Sequence, residues 1–184
     1  MHTTVLYHAN CPDGIASSFA CWQRFGDEAQ YLPVFYGHPC PDIPDEHDVY
    51  IVDFSYPADV LQGLLAARIG RRSRDGSVVT VLDHHASAER DLLPLMAMQL
   101  PGLTICFDLH ESGASLTWKY FKTGGWCPRN DPDPQGLEYA RHRFEPVMRR
   151  AAGMMPLNQA PQVLCGFKGM DLSFRRHRPR QAAG

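Results

Sequence analysis

The sequence predicts an α/β fold, a parallel sheet of about five strands with helices on both faces. Two observations lead there. Short apolar runs alternate with helix-like stretches through residues 1–123, and strands separated by helices pair in parallel. The run Ser77–Asp83 (SVVTVLD) is almost wholly apolar and β-branched, as a strand covered on both faces requires.

The elements follow in order. Thr3–His8 (TTVLYH) is the first strand, and Pro-Asp-Gly turns the chain after it. Ile15, Phe19 and Trp22 recur at helical spacing until Gly26 ends the helix. Tyr31–Tyr36 is the second strand, and the Pro-rich stretch from His38 to Pro44 is a loop. Val49–Asp53 is the third strand. Pro57 then opens a helix with Val60, Leu61, Leu64 and Leu65 on one face. A charged turn, RRSRDG, leads to Ser77–Asp83 as the fourth strand, and Leu103–Asp108 is the fifth. Ser112 caps a helix that runs to about Phe121.

The last sixty residues read differently. Gly124–Gly136 is rich in Pro and Gly and breaks the alternation. Leu137–Ala152 reads as a basic helix, Val163–Phe167 as a short strand, and the tail RRHRPRQAAG as disordered. Charge divides at the same place. Residues 1–123 hold 8 Lys and Arg against 15 Asp and Glu, a net of −7; residues 124–184 hold 10 against 5, a net of +5. We therefore expect a domain over 1–123 and a divergent basic segment over 124–184, with no complete second domain.

Hydrophobic residues at 44% and charged residues at 21% of the 184 exclude a disordered chain. No apolar run reaches the roughly 18 residues of a membrane span, and the start lacks a signal-peptide pattern, so a cytoplasmic protein with no membrane partner is expected. The net charge of −2 gives no reason to expect long duplex nucleic acid as a partner. The six cysteines form no CxxC pair and read as free thiols, with Cys11 as a small buried side chain.

Three strand ends carry the same chemistry. His8, Asn10 and Asp13 follow the first, Asp53 ends the third, and Asp83-His84-His85 end the fourth. Ligands of open α/β sheets bind beyond the carboxyl ends of strands, so these groups should converge in one crevice. Alone, each has an ordinary role: a hydrogen-bonded surface histidine, or an aspartate at a turn. Together, carboxylates and imidazoles suit Mn²⁺, Mg²⁺ or Fe²⁺ better than zinc. Several carboxylates in one crevice repel unless a cation neutralises them. Two divalent ions sharing an Asp are also standard machinery for hydrolysing a phosphate ester. Ser112-Gly113-Ala114 places backbone amides at a helix N-terminus, which serves equally as an anion site or as a plain cap.

HANCPDGIASS, VDFSYP, LDHHASAE and ESGASLTWKYF resemble, in order and spacing, the successive motifs of the DHH phosphoesterase superfamily over roughly residues 3–122. The branch most resembled is the oligoribonuclease or cyclic-nucleotide phosphodiesterase-like one. The resemblance implies a hydrolase with two Mn²⁺ ions, Mg²⁺ being possible, acting on phosphodiester bonds of a small nucleotide or short oligonucleotide. It implies His8 and Asp13 as metal ligands, Asp53 as the bridge and His84 as a ligand to the second ion. Asp83 would orient His84, and His85 would touch the scissile phosphate or protonate the leaving oxygen. Asn10 stands where many members have Asp, and Ser112, Gly113 and Ala114 would bind phosphate. Pro161–Phe174 is the best counterpart of the next family motif. It puts Gly169 at a ligand position and leaves Asp171 as the possible metal ligand. Because the family pattern stops there, two alternatives stand beside the phosphodiesterase: a degenerate or truncated member that binds metal or nucleotide without turnover, and an inorganic pyrophosphatase-like hydrolase. Oligomeric state is not indicated.

Overall fold

The structure, a computed structural model, describes residues 2–70, 76–125 and 127. The expected helix over Leu137–Ala152, the strand over Val163–Phe167, the tail, Cys165 and Asp171 lie outside the described residues.

Five strands form one all-parallel sheet: β1 (His2–His8), β2 (Ala29–Val34), β3 (His47–Val52), β4 (Val79–Asp83) and β5 (Leu103–Phe107). Among the described residues, four α-helices join and cover them: α1 (Pro12–Phe25), α2 (Ala58–Ala66), α3 (Ala86–Ala97) and α4 (Gly113–Lys122). A single 3-10 turn, Gly26–Glu28, leads into β2. The predicted α/β class therefore holds.

The period-2 alternation of each strand sorts its side chains into two cores. Leu6, Val49, Ile51, Val79, Val81 and Ile105 pack with Leu61 of α2 and with Leu92 and Leu95 of α3. Val5, Tyr50, Val52, Leu82 and Cys106 pack on the opposite face with Cys21 of α1 and with Leu116 and Tyr120 of α4. Helix α1 lies against α4, and α2 against α3. Both faces of β4 are thus covered, which is why its five residues are all buried.

Strand order is β2-β1-β3-β4-β5. The chain leaves β1 in one direction to make β2 and returns to the other side of β1 to make β3. That reversal opens a crevice at the carboxyl ends of β1 and β3, the switch point where open α/β sheets bind ligands. Helix α1 starts hard against β1: a Cβ on Gly14 would stand 2.2 Å from the carbonyl oxygen of His8.

Two features depart from the sequence reading. Helix α3 was not expected, because Pro94 and the Glu89-Arg90-Asp91 run obscure its apolar face, on which only Leu92 and Leu95 are buried hydrophobics. Cys106 and Cys127 are joined as a disulfide, correcting the free-thiol reading for this pair; Cys11, Cys21 and Cys40 are free. The pair is 21 residues apart in sequence, and β5 and the chain after α4 bring it together. Among the described residues, no helix is long and apolar enough to cross a membrane.

The loop before β3 is tied by one buried cation. Arg68, 2% exposed, donates from Nε to the His47 carbonyl at 2.8 Å, from Nη1 to that of Leu64 at 2.9 Å and from Nη2 to that of Pro44 at 2.9 Å. Truncation to alanine strands these carbonyls and leaves a cavity. Arg68→Ala should cost about 3 kcal/mol in urea denaturation. A loss below about 0.5 kcal/mol would show that the latch contributes nothing.

Candidate metal centre

The backbone at the sheet's carboxyl edge is strained where it matters. Asp53, the residue after β3, has φ +64°, and Asn10, after β1, has φ +53°. A non-glycine residue in this region costs of order 1–3 kcal/mol and persists only where its surroundings hold it. At Asp53 the surroundings are explicit. Its amide donates to the Leu82 carbonyl at 3.0 Å, and its side chain is fully buried.

The turn aims the Asp53 carboxylate between two histidines. Its Oδ2 lies 3.5 Å from His8 Nδ1, and its Oδ1 accepts from His84 Nε2 at 3.1 Å. His84 Nε2 also lies 3.4 Å from Asp13 Oδ2. Two donor clusters result, His8–Cys11–Asp53 and Asp13–Asp53–His84, each with its ligand atoms within 4.8 Å of one another. Asp53 belongs to both. His8 Nδ1 and Asp53 Oδ2 are buried with no hydrogen-bond partner. A buried, unsatisfied nitrogen and carboxylate oxygen side by side are costly for the protein alone and are what a cation would satisfy. The donor set therefore fits a divalent ion.

Asp13, the second residue of α1, faces the same crevice and is gripped by a different element. Its Oδ2 accepts from the Gly113 amide at 2.7 Å and its Oδ1 from the Ala114 amide at 2.8 Å. The first amides of α4 thus hold a carboxylate of the protein. Ser112 Oγ caps the Ser115 amide at 3.2 Å. This corrects the phosphate-binding expectation for Ser112, Gly113 and Ala114: the anion at that N-terminus is Asp13. Gly113 carries a second constraint, because a Cβ there would meet Asp53 Oδ1 at 2.4 Å.

The remaining predicted residues are placed as follows. His8, Asp13, Asp53 and His84 come together. Asn10 is exposed and in the left-handed region, and the Sγ of the next residue, Cys11, lies in the cluster with His8 and Asp53. Asp83 does not orient the His84 imidazole. Its Oδ1 accepts from His85 Nδ1 at 2.6 Å and from the His84 amide at 2.7 Å, and its Oδ2 accepts from Ser55 Oγ at 2.7 Å. The DHH run therefore divides its tasks, with His84 facing the carboxylates and His85 held by Asp83.

The electrostatics follow this arrangement. Burial and then repulsion by Asp53 push Asp13 up to about 6, against the pull of its two amides. The hydrogen bond to Asp53 raises His84, and that to Asp83 raises His85. Burial pulls Asp83 upward, but His85 and Ser55 outweigh it and hold the carboxyl below its ordinary value. Burial, then Asp53, pushes the Cys11 thiol up to about 11.

Sequence reasoning missed Tyr36. Its ring meets that of His8 edge-on at 4.9 Å and that of His85 at 6.0 Å, yet Tyr36 is 53% exposed. It stands at the lip of a groove of about 610 Å³ lined by Phe35, His38, Phe54, Ser55 and Tyr56 among others. The exposed aromatic pair Phe35-Tyr36 was the available signal.

No protein-family model matches the chain. An uncharacterised protein of Acanthamoeba polyphaga mimivirus is 28% identical over 132 residues, which cover 64% of this chain and 28% of that protein. The crystal structure of an uncharacterised Helicobacter pylori protein is similar with a TM-score of 0.49 and 14% identity, over 76% of this chain and 40% of that one. The chain thus spans less than half the length of either protein.

Gly113→Ala tests the geometry without touching a ligand atom. The added methyl group must displace Asp53, so Mn²⁺ affinity measured by isothermal titration calorimetry should fall at least about tenfold. Unchanged affinity would show that Asp53 does not hold the ion from this position.

Proposed function

We propose that this chain is a metal-dependent phosphoesterase of the DHH type, hydrolysing phosphodiester bonds in short oligonucleotides or cyclic nucleotides. The observation that carries the reading is Asp53, a fully buried carboxylate shared by two donor clusters, with one oxygen lacking any hydrogen-bond partner. A bridging carboxylate between two ligand sets is the arrangement a two-ion centre needs.

Each residue has a definite task. His8 and Asp53 would hold one cation, and Asp13, Asp53 and His84 the other, with Mn²⁺ favoured and Mg²⁺ the alternative. When bound, such a pair supplies the positive charge that activates a water and steadies the oxygens of a phosphate in displacement. His84 Nε2, hydrogen-bonded to Asp53 Oδ1, would hold the ion through that nitrogen in its deprotonated form. Asp13 is positioned from behind by the α4 amides, which fix its rotamer and leave lone pairs for ligation. His85 gives Nδ1–H to Asp83, which leaves Nε2 as the atom that can pass a proton to the leaving oxygen. Its raised pKa keeps a larger share protonated near neutral pH than an ordinary histidine has.

One further observation supports a nucleotide as substrate. The groove beside Tyr36 and His85 is aromatic and open, suited to the flat face of a nucleobase. Inorganic pyrophosphate has no group to place there, which makes the pyrophosphatase reading weaker. The carboxylates at the crevice are those a cation pair would neutralise, so a phosphate could approach despite the acidic domain.

Purified chain with Mn²⁺ and the dinucleotide pApA should release AMP. Asp53→Ala should abolish turnover, and His85→Gln should lower kcat by about 10²–10⁴ with little change in KM. Turnover surviving Asp53→Ala would rule out this centre, and nucleotide binding without turnover by the native chain would identify a degenerate member. Phosphate release from pyrophosphate, with indifference to nucleotides, would establish the pyrophosphatase.

A further inference from the structure

We propose that Cys11 is a thiolate ligand, so that the two cation positions flanking Asp53 differ in chemical softness and one of them takes a borderline ion such as Zn²⁺, Co²⁺ or Fe²⁺. The inference rests on the cation centre of the proposed function but not on hydrolysis.

Cys11 is the residue immediately before α1, in extended conformation (φ −110°, ψ 125°), and its side chain makes no capping hydrogen bond to that helix. At this position Ser, Thr, Asp or Asn would satisfy a free amide of the first turn. The helix instead begins with Pro12, and the sulfur lies between the Asp13 and Gly14 amides and the Asp53 carboxylate. It points into the crevice, where Sγ, a ring nitrogen of His8 and a carboxylate oxygen of Asp53 lie within 4.8 Å of one another. Atoms bound to one Zn²⁺ at about 2.0–2.3 Å lie closer still, so only a small contraction is needed.

The thiol is not alone. His8 Nδ1 and Asp53 Oδ2 are both buried and without hydrogen-bond partners, and the Asp53 side chain is fully buried. Three donors of three kinds, nitrogen, sulfur and oxygen, therefore lie together from residues 8, 11 and 53. The other cluster, Asp13–Asp53–His84, has no sulfur. A thiolate favours Zn²⁺, Co²⁺ or Fe²⁺, whereas the carboxylate-rich cluster favours Mn²⁺ or Mg²⁺. On binding, the Cys11 S–H bond breaks, its proton passes to solvent, and the sulfur lone pair binds the cation.

Co²⁺ is the probe, because a thiolate ligand gives it a charge-transfer band in the near ultraviolet. The metal-free full chain titrated with Co²⁺ should develop that band. Cys11→Ser should abolish it and weaken one Co²⁺ at least about tenfold. Cys11→Asp should also lose the band while binding Mn²⁺ more tightly than the native chain does. A measurement on the unaltered protein guards against a variant that fails to fold. Co²⁺ or Zn²⁺ should slow alkylation of Cys11 by iodoacetamide, read by peptide mass spectrometry, and leave half-buried Cys40 unchanged. A band that persists in Cys11→Ser, no band in the Co²⁺-saturated chain, or alkylation of Cys11 at the same rate with and without metal would overturn the proposal. A band in a chain that hydrolyses nothing upholds Cys11 as a ligand and removes the phosphoesterase; turnover without a band does the reverse.

Discussion

Asp53 is held in a conformation it would not choose, with its carboxylate fully buried between two histidines. Its backbone occupies the left-handed region, its side chain has no exposure, and one carboxylate oxygen lacks a hydrogen bond. The surrounding elements are arranged about it. Strand β4 fixes its amide through Leu82, β1 and β4 bring His8 and His84 to either side, and α4 must begin with a glycine to leave room. A protein that tolerates strain and an unsatisfied buried carboxylate at one residue gains something there. A cation between the histidines, as proposed, would satisfy the orphaned oxygen and the close imidazoles together.

The α4 N-terminus shows how a shared feature can take a different role. Its amides are spent on Asp13, so their partial positive charge stabilises a carboxylate of the protein and reaches any substrate only through it. In the proposed reaction, a phosphate would be met elsewhere in the crevice. His85, fixed by Asp83 and partly exposed beside Tyr36, is the group that would meet it under the proposed function. The crevice thus separates into a buried carboxylate floor and an aromatic, imidazole-bearing wall.

Much of this was legible in the chain, for identifiable reasons. The strands were readable because the sheet is covered on both sides, which forces continuous apolar runs such as Val79–Leu82. His8, Asp13, Asp53 and His84 were readable because a parallel sheet brings successive strand ends to one edge. What escaped was decided by contacts across long sequence separations or by single backbone angles. The pairing of Asp13 with Gly113 spans 100 residues and is invisible to any local pattern. That Cys11 Sγ lies beside His8 and Asp53 follows a left-handed turn at Asn10 that no local pattern announces. That Asp83 serves His85 rather than the His84 ring depends on rotamers set by the start of α3, itself hidden by Pro94.

The central claim is that a divalent cation relieves the charge gathered around Asp53, and linkage tests it directly. In the metal-free protein Asp13 titrates near 6 instead of its ordinary 3.8, so the folded state holds the extra proton. Stability from this group is therefore greatest below about pH 4 and is lost as pH rises to about 6. His84, also raised, loses its contribution in the same direction as pH climbs above its ordinary 6.5. A cation competes with both protons. Thermal midpoints with and without Mn²⁺ at pH 5 and pH 7.5 should show a rise of several degrees at pH 7.5, corresponding to about 2.7 kcal/mol at a hundredfold excess over Kd. The rise at pH 5 should be much smaller. An equal rise at both pH values, or none at pH 7.5, would contradict the account.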